Sequence, residues 1–186
     1  DAVARASAEG AEMVLLPELA LTGYPPEDLL AKPHFITAAA AALDTFAERA
    51  ALPALIGSVV RDAAGLHNVA ALVSAGRVEH VYAKRELPNY GVFDEERYFE
   101  PGTRDVIVHL GGLPVALTVC EDVWVPQTVE RVAGAGARLV LNISASPFHT
   151  GKGAERERML QDRARDNGVW LAYCNLVGGQ DELVFD

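Results

Sequence analysis

The sequence predicts a mixed α/β domain, and three observations predict it. Helix-like stretches alternate with short apolar runs, the pattern of strands covered by helices. Two pairs of apolar runs flank the turns Ala75-Gly76 and Gly111-Gly112, so antiparallel hairpins are mixed into that alternation. Several runs stop at a breaker or polar break, and three of those stops carry reactive side chains: Glu18, Lys84 and Cys120.

The chain opens with a helix-like segment, Asp1 to Ala6. Glu12 to Leu16 reads as a short buried strand that ends at Pro17, one residue before Glu18. Phe35 to Ala51 is Ala-rich, with Asp44, Thr45, Glu48 and Arg49 recurring one turn apart, so it reads as an amphipathic helix. Ala54 to Val60 is a buried strand. His67 to Ser74 and Arg77 to Tyr82 form the first hairpin, whose second strand ends at Ala83-Lys84. Lys84 to Arg104 shows no clear periodicity, and stretches of that length in compact domains are usually functional or disordered; we read it as a lid or substrate wall. Val106 to Leu110 and Leu113 to Val119 form the second hairpin. Val125 to Ala135 is a helix with Pro126 near its N-terminus, Leu139 to Ile143 a strand, Ala154 to Asn167 a charged helix ended by Gly168, and Trp170 to Asn175 a strand.

At 186 residues and 50% hydrophobic, the chain can bury one substantial core and is too short for two ordinary domains, so residues 1–186 are read as one domain. With 26 acidic against 16 basic residues, its net charge of -10 disfavours nucleic acid and anionic membranes as partners. Two cysteines in apolar contexts suggest no oxidised scaffold, and a cytoplasmic location is expected. His109, Gly111, Gly112 and Pro114 interrupt the longest apolar stretch, which falls short of the roughly 20 residues of a membrane helix. The histidines, His34, His67, His80, His109 and His149, show no paired ligand spacing, so no metal site is expected.

Reactive groups at strand ends can gather at one sheet rim although they are distant in sequence. A thiol attacking a carboxamide needs a base for its proton, and Glu18 suits that task. The tetrahedral adduct develops a negative oxygen, which the Lys84 ammonium and backbone N–H groups at the turn after Cys120 can stabilise. The same ammonium is expected to favour the thiolate. Loss of ammonia leaves a thioester, and the carboxylate then activates water to hydrolyse it.

Leu16-Pro17-Glu18, Ala83-Lys84 and Val119-Cys120-Glu121-Asp122 resemble the Glu-Lys-Cys motifs of the nitrilase, or carbon-nitrogen hydrolase, superfamily. Three longer stretches, Leu21 to Leu30, Leu87 to Phe99 and Gly178 to Asp186, resemble the glutaminase domain of glutamine-dependent NAD+ synthetases. The resemblance runs from about Val14 to the last residue and implies a four-layer αββα sandwich. It implies Cys120 as nucleophile, Glu18 as base, Lys84 as stabiliser of the adduct, and Glu95 as a second glutamate that places substrate and holds the lysine. It also implies that Tyr24 lies near the lysine and that Tyr90, Phe93, Glu121, Ser146 and Lys152 contact glutamine. No cofactor is implied in this domain; ATP and Mg belong to a separate synthetase domain that amidates deamido-NAD+ with the released ammonia. A homo-oligomer is expected. Relative to the family pattern the chain lacks the first strand, stops before the closing strands and contains no Ser-Gly-Gly-x-Asp-Ser type loop for ATP, so it reads as a fragment truncated at both ends.

Each of these residues also has an ordinary reading. A single Cys is more often a small buried hydrophobe than a nucleophile, and Cys174 keeps that reading. Glu18 and Lys84, taken singly, are surface charges. Tyr90, Phe93, Tyr98 and Phe99 can simply pack a loop, and Ser146 can be a turn serine. Only one of the adjacent Glu95 and Glu96 is expected to face the pocket, and the family register selects Glu95. Glu155, Arg156, Glu157, Arg158, Arg163 and Arg165 read as a solvated helix face without chemistry. A Cys-His hydrolase using His109 or His149 is a rival mechanism without a local signature. The function hypotheses, in order, are a glutaminase serving a synthetase, a free-standing amidase acting on another carboxamide, and an inert channel or oligomerisation module.

Overall fold

The computed structural model describes residues 2–186, so Asp1 of the expected opening helix lies outside it. Helix α1 is Ala2–Ala8. Strand β1, Val14–Leu15, is only two residues long and half-buried, shorter and more open than the strand expected over Glu12 to Leu16. The reason is its edge position: it pairs with a single neighbour before Pro17 ends it.

Helix α2 (Pro33–Arg49) precedes strands β2 (Ala54–Arg61), β3 (Leu66–Ser74) and β4 (Arg77–Ala83). The first sheet has the order β1-β2-β3-β4, with β1 parallel to β2 and the rest antiparallel. The Ala75-Gly76 hairpin forms as expected, with Ser74 opposite Arg77. In the second sheet, β5 (Ile107–Leu110) pairs antiparallel with β6 (Leu113–Val119), which runs parallel to β7 (Leu139–Ser144), itself parallel to β8 (Trp170–Asn175). Helices α3 (Pro126–Gly134) and α4 (Lys152–Asn167) are the crossovers that parallel strands require. A hairpin of β9 (Gly178–Gln180) and β10 (Leu183–Phe185) closes the chain.

Strand alternation distributes the core over three interfaces. Leu55, Leu72 and Tyr82 meet Val115, Leu117, Val119, Leu141 and Ile143 between the two sheets. The opposite faces bury Ile56, Ala71 and Val73 under Leu43 and Ala47 of α2, and Ala116 and Val140 under Val129 and Val132 of α3. The result is a sandwich of helix, sheet, sheet and helix, as the resemblance implies. Because β4 runs the same way as β1 and β2, the carboxyl ends of β1 and β4 share a rim. The parallel order of β6, β7 and β8 brings Val119, Ser144 and Asn175 to a common rim of the second sheet.

Candidate active site

Glu18, Lys84 and Cys120, each at a strand's carboxyl end, are 1%, 1% and 3% exposed. The Lys84 ammonium donates to Glu18 Oε1 at 2.8 Å and to Glu95 Oε1 at 2.7 Å. Asn68 Nδ2, from β3, also donates to Glu18 Oε1 at 2.8 Å, and the Ala145 N–H, just past β7, donates to Glu18 Oε2 at 2.9 Å. The Ala145 N–H also holds the Cys120 thiol's proton affinity down a little, so one backbone donor bears on both the base and the nucleophile.

Glycine fixes where Glu18 sits. A Cβ at Gly57 would strike Leu19 N and come within 2.5 Å of Pro17 O and 2.6 Å of the Glu18 carbonyl carbon, all of them backbone. The 17–19 segment can therefore cross β2 only at a residue without a side chain. Cys120 opens a short 3-10 turn, Cys120–Val123, with φ of 44°, a left-handed conformation that costs a non-glycine residue about 1–3 kcal/mol.

The electrostatics follow from this burial. Desolvation pushes Lys84 toward losing its proton, but Glu18 and Glu95 outweigh it and hold the ammonium well above its ordinary range. Burial, aided by Lys84's second carboxylate neighbour Glu18, pushes the Glu95 carboxyl up to about 7 even though Lys84 opposes the shift. Burial and the Glu18 charge also push the Cys120 thiol well above its usual range, and Lys84 only partly offsets them. Lys84 does favour the thiolate, as expected, but burial and the Glu18 charge outweigh it, so a base has to take the thiol proton during attack.

The remaining expected residues divide into two groups. Tyr24 is buried with its hydroxyl 3.5 Å from Glu95 Oε1, beside the lysine as the resemblance implies. Tyr90, though 59% exposed, donates to Glu121 Oε1 at 3.0 Å, and Phe93 meets its ring edge-on at 5.4 Å, so these three make one wall. Ser146 is buried next to Ala145 and donates its N–H to Asn175 Oδ1 at 2.9 Å. Lys152 is engaged elsewhere, its ammonium 3.8 Å from the centre of the Trp124 ring and 3.5 Å from Glu155. The 84–104 stretch passes along the cluster. It carries Tyr90, Phe93 and Glu95, and Gly102 N–H returns to bond Lys84 O at 2.8 Å. A cavity of about 210 Å³ borders the site at Tyr24, Phe93 and Glu95, between the 24–30 and 92–99 segments. Glu18, Lys84 and Cys120 do not line it.

Sequence reasoning passed over four contributors. Asn68 is a buried polar residue in a mostly apolar β3, and a buried polar side chain needs a partner. Gly57 within β2 is a signal for close backbone approach. The Ala145 N–H has no sequence signal at all. It serves Glu18, while the Val119 N–H, just before the thiol, is spent on Asp122. The α4 charges are also not uniformly solvated. Arg163 donates to Val123 O at 3.0 Å and Trp124 O at 2.9 Å, bracing the end of the Cys120 turn, and the buried Arg156 pairs with Asp186 Oδ1 at 2.8 Å. Carbonyls left free where a short helix ends need such donors, and that need overrides the solvated arrangement.

A strand-end thiol beside a carboxylate-ammonium-carboxylate cluster, in an αββα sandwich, defines a thiol hydrolase of C–N bonds. Residues 1–185 match the carbon-nitrogen hydrolase family, and the chain belongs to that family. It is 45% identical over 180 residues to a glutamine-dependent NAD(+) synthetase of Xylella fastidiosa, covering 95% of this chain and 33% of that protein. It is 43% identical over 191 residues to the glutamine-dependent NAD(+) synthetase of Thermotoga maritima, again 33% of that protein. The solved glutamine-dependent NAD+ synthetase of Acinetobacter baumannii superposes with a TM-score of 0.96 at 34% identity, over 100% of this chain and 35% of that one. An amidase from Nesterenkonia sp. gives a TM-score of 0.88 at 33% identity, over 100% of this chain and 71% of that one. The chain thus spans about a third of the length of the curated relatives it matches. Among the described residues, no helix is long and apolar enough to cross a membrane.

Proposed function

We propose that this chain hydrolyses the side-chain amide of glutamine to glutamate and ammonia. The observation that carries the reading is the buried Lys84 ammonium bridging Glu18 and Glu95 next to Cys120. Glu18 takes the thiol proton as sulfur adds to the amide carbon, and the new oxyanion is held by the Lys84 ammonium. The adduct collapses with Glu18 returning the proton to the departing nitrogen, so ammonia leaves and a thioester remains. Water, deprotonated by Glu18, then adds to the thioester, and glutamate departs as the thiol is re-formed. Glu95 holds Lys84 from its other side, while Tyr90, Phe93, Glu121 and Ser146 make the glutamine subsite. In the longer protein the ammonia serves an ATP- and Mg-dependent synthetase part that amidates deamido-NAD+, in a cytoplasmic homo-oligomer.

Ammonia release from glutamine by the full-length protein, and its loss in Cys120→Ala with folding intact, is the expected outcome. Hydrolysis of other carboxamides with none of glutamine would overturn this reading in favour of the second one, an amidase acting on another carboxamide. That alternative is favoured by the likeness to the Nesterenkonia amidase over 71% of its chain.

A further inference from the structure

We propose that Asp122 is a positioning residue, whose buried carboxylate locks the left-handed turn of Cys120 to the strand end that carries Lys84. The proposal rests on the reading of Cys120 as nucleophile. Asp122 is wholly buried, and both its oxygens are used. Oδ2 accepts from Val119 N–H at 2.8 Å and from Tyr82 hydroxyl at 2.9 Å. Oδ1 accepts from Arg85 N–H at 3.1 Å and Glu86 N–H at 3.0 Å. Val119 immediately precedes the thiol, Arg85 immediately follows the ammonium, and Tyr82 stands two residues before it. One carboxylate therefore clamps the backbone on both sides of the gap that the reaction must hold constant.

Stability alone is a poor reason for such a group. The cations in its vicinity are paired with other carboxylates, Lys84 with Glu18 and Glu95, and Arg85 with Asp105 at 3.7 Å. A buried carboxylate without a contacting cation carries a desolvation cost that its hydrogen bonds must offset. Burial accordingly pushes the Asp122 carboxyl up to about 6, against the pull of the Val119 and Glu86 donors. What the arrangement supplies is geometry: it holds Cys120 at a φ of 44° while β4 and β6 are hydrogen-bonded in different sheets. Misplacing a reacting atom by about 1 Å costs on the order of 100-fold in rate.

The test uses the full-length protein and two variants, Asp122→Asn and Tyr82→Phe, read by glutamine kinetics, thermal unfolding, and the rate of iodoacetamide alkylation at Cys120 by mass spectrometry. Cys174 is the internal reference thiol. Asp122→Asn keeps the volume but turns an amide toward backbone donors. It is expected to lower kcat about 100-fold with KM within about 2-fold, and to slow Cys120 alkylation about 10-fold or more, with Cys174 unchanged. Tyr82→Phe removes one of four donors and is expected to lower both rates about 5-fold. Wild-type kcat and Cys120 alkylation in folded Asp122→Asn would overturn the proposal. So would equal losses in the two variants that track their unfolding temperatures. If Asp122→Asn does not fold, wild-type alkylation in folded Tyr82→Phe overturns it alone. Alkylation does not depend on the substrate, so a protein inactive on glutamine whose Cys120 still slows in these variants separates failure of the glutaminase reading from failure of this one.

Discussion

A buried ammonium between two carboxylates is stable only as a set, because each member removed leaves a charge that water no longer reaches. Lys84→Met is expected to destabilise the fold by about 3–5 kcal/mol and abolish hydrolysis, whereas adding Glu95→Gln should recover much of the stability and none of the activity. Urea unfolding of the single and double variants checks this, and a double variant no more stable than the single one would contradict it. Glu95 also sets a pH dependence. Its carboxyl stands at about 7 in the fold against an ordinary value of 4.5. The native state holds that proton more tightly than the unfolded chain, so this stabilisation is complete below about pH 4.5 and is lost as pH rises through 7. Glu95→Gln should flatten the stability curve across that window, leaving a residual slope below about pH 6 from Asp122, whose carboxyl is raised in the same sense. Identical slopes in both proteins would refute the assignment. Glu18, Lys84 and Cys120 were legible because each interrupts a local apolar run. Asn68, by contrast, showed only as a polar letter in a strand, and the Ala145 N–H left no letter to read, because every residue but proline carries one.

At the scale of elements, short stretches of backbone aim these groups. The 17–19 segment lies directly on β2 at Gly57, so the position of Glu18 depends on a missing side chain. Gly57→Ala is expected to cost about 1–3 kcal/mol by overpacking and to lower kcat more than it raises KM, since it displaces the base and not the Tyr90–Glu121 wall. Steady-state kinetics beside a melting curve would test it, and a rise in KM alone would exclude the account. Both hairpins and helices α2, α3 and α4 could be read from the sequence because turn residues and apolar period are local. Strand β1 was over-read because an edge strand's length is set by its partner, and Arg163 was under-read because its acceptors lie 39 and 40 positions away.

Over the whole molecule, the inter-sheet core holds the two halves of the site in register. Leu117 of β6 is fully buried there, three residues before the thiol. Leu117→Ala should cost about 2–5 kcal/mol, the transfer loss plus the cavity it leaves, as measured by denaturant titration. A change below about 1 kcal/mol would mean the sheets do not pack face to face as described. The sequence by itself determined helices α2, α3 and α4, most strands of the two sheets, and where reactive groups stand at strand ends, because those signals are read within a few residues. Only the tertiary structure decided that the Ala145 N–H meets Glu18 across 127 positions, that Lys84 meets it across 66, and that burial raises the proton affinity of Cys120. Proton affinity and hydrogen-bond partnership depend on which distant surfaces exclude water together, and that information exists only once the sheets have closed.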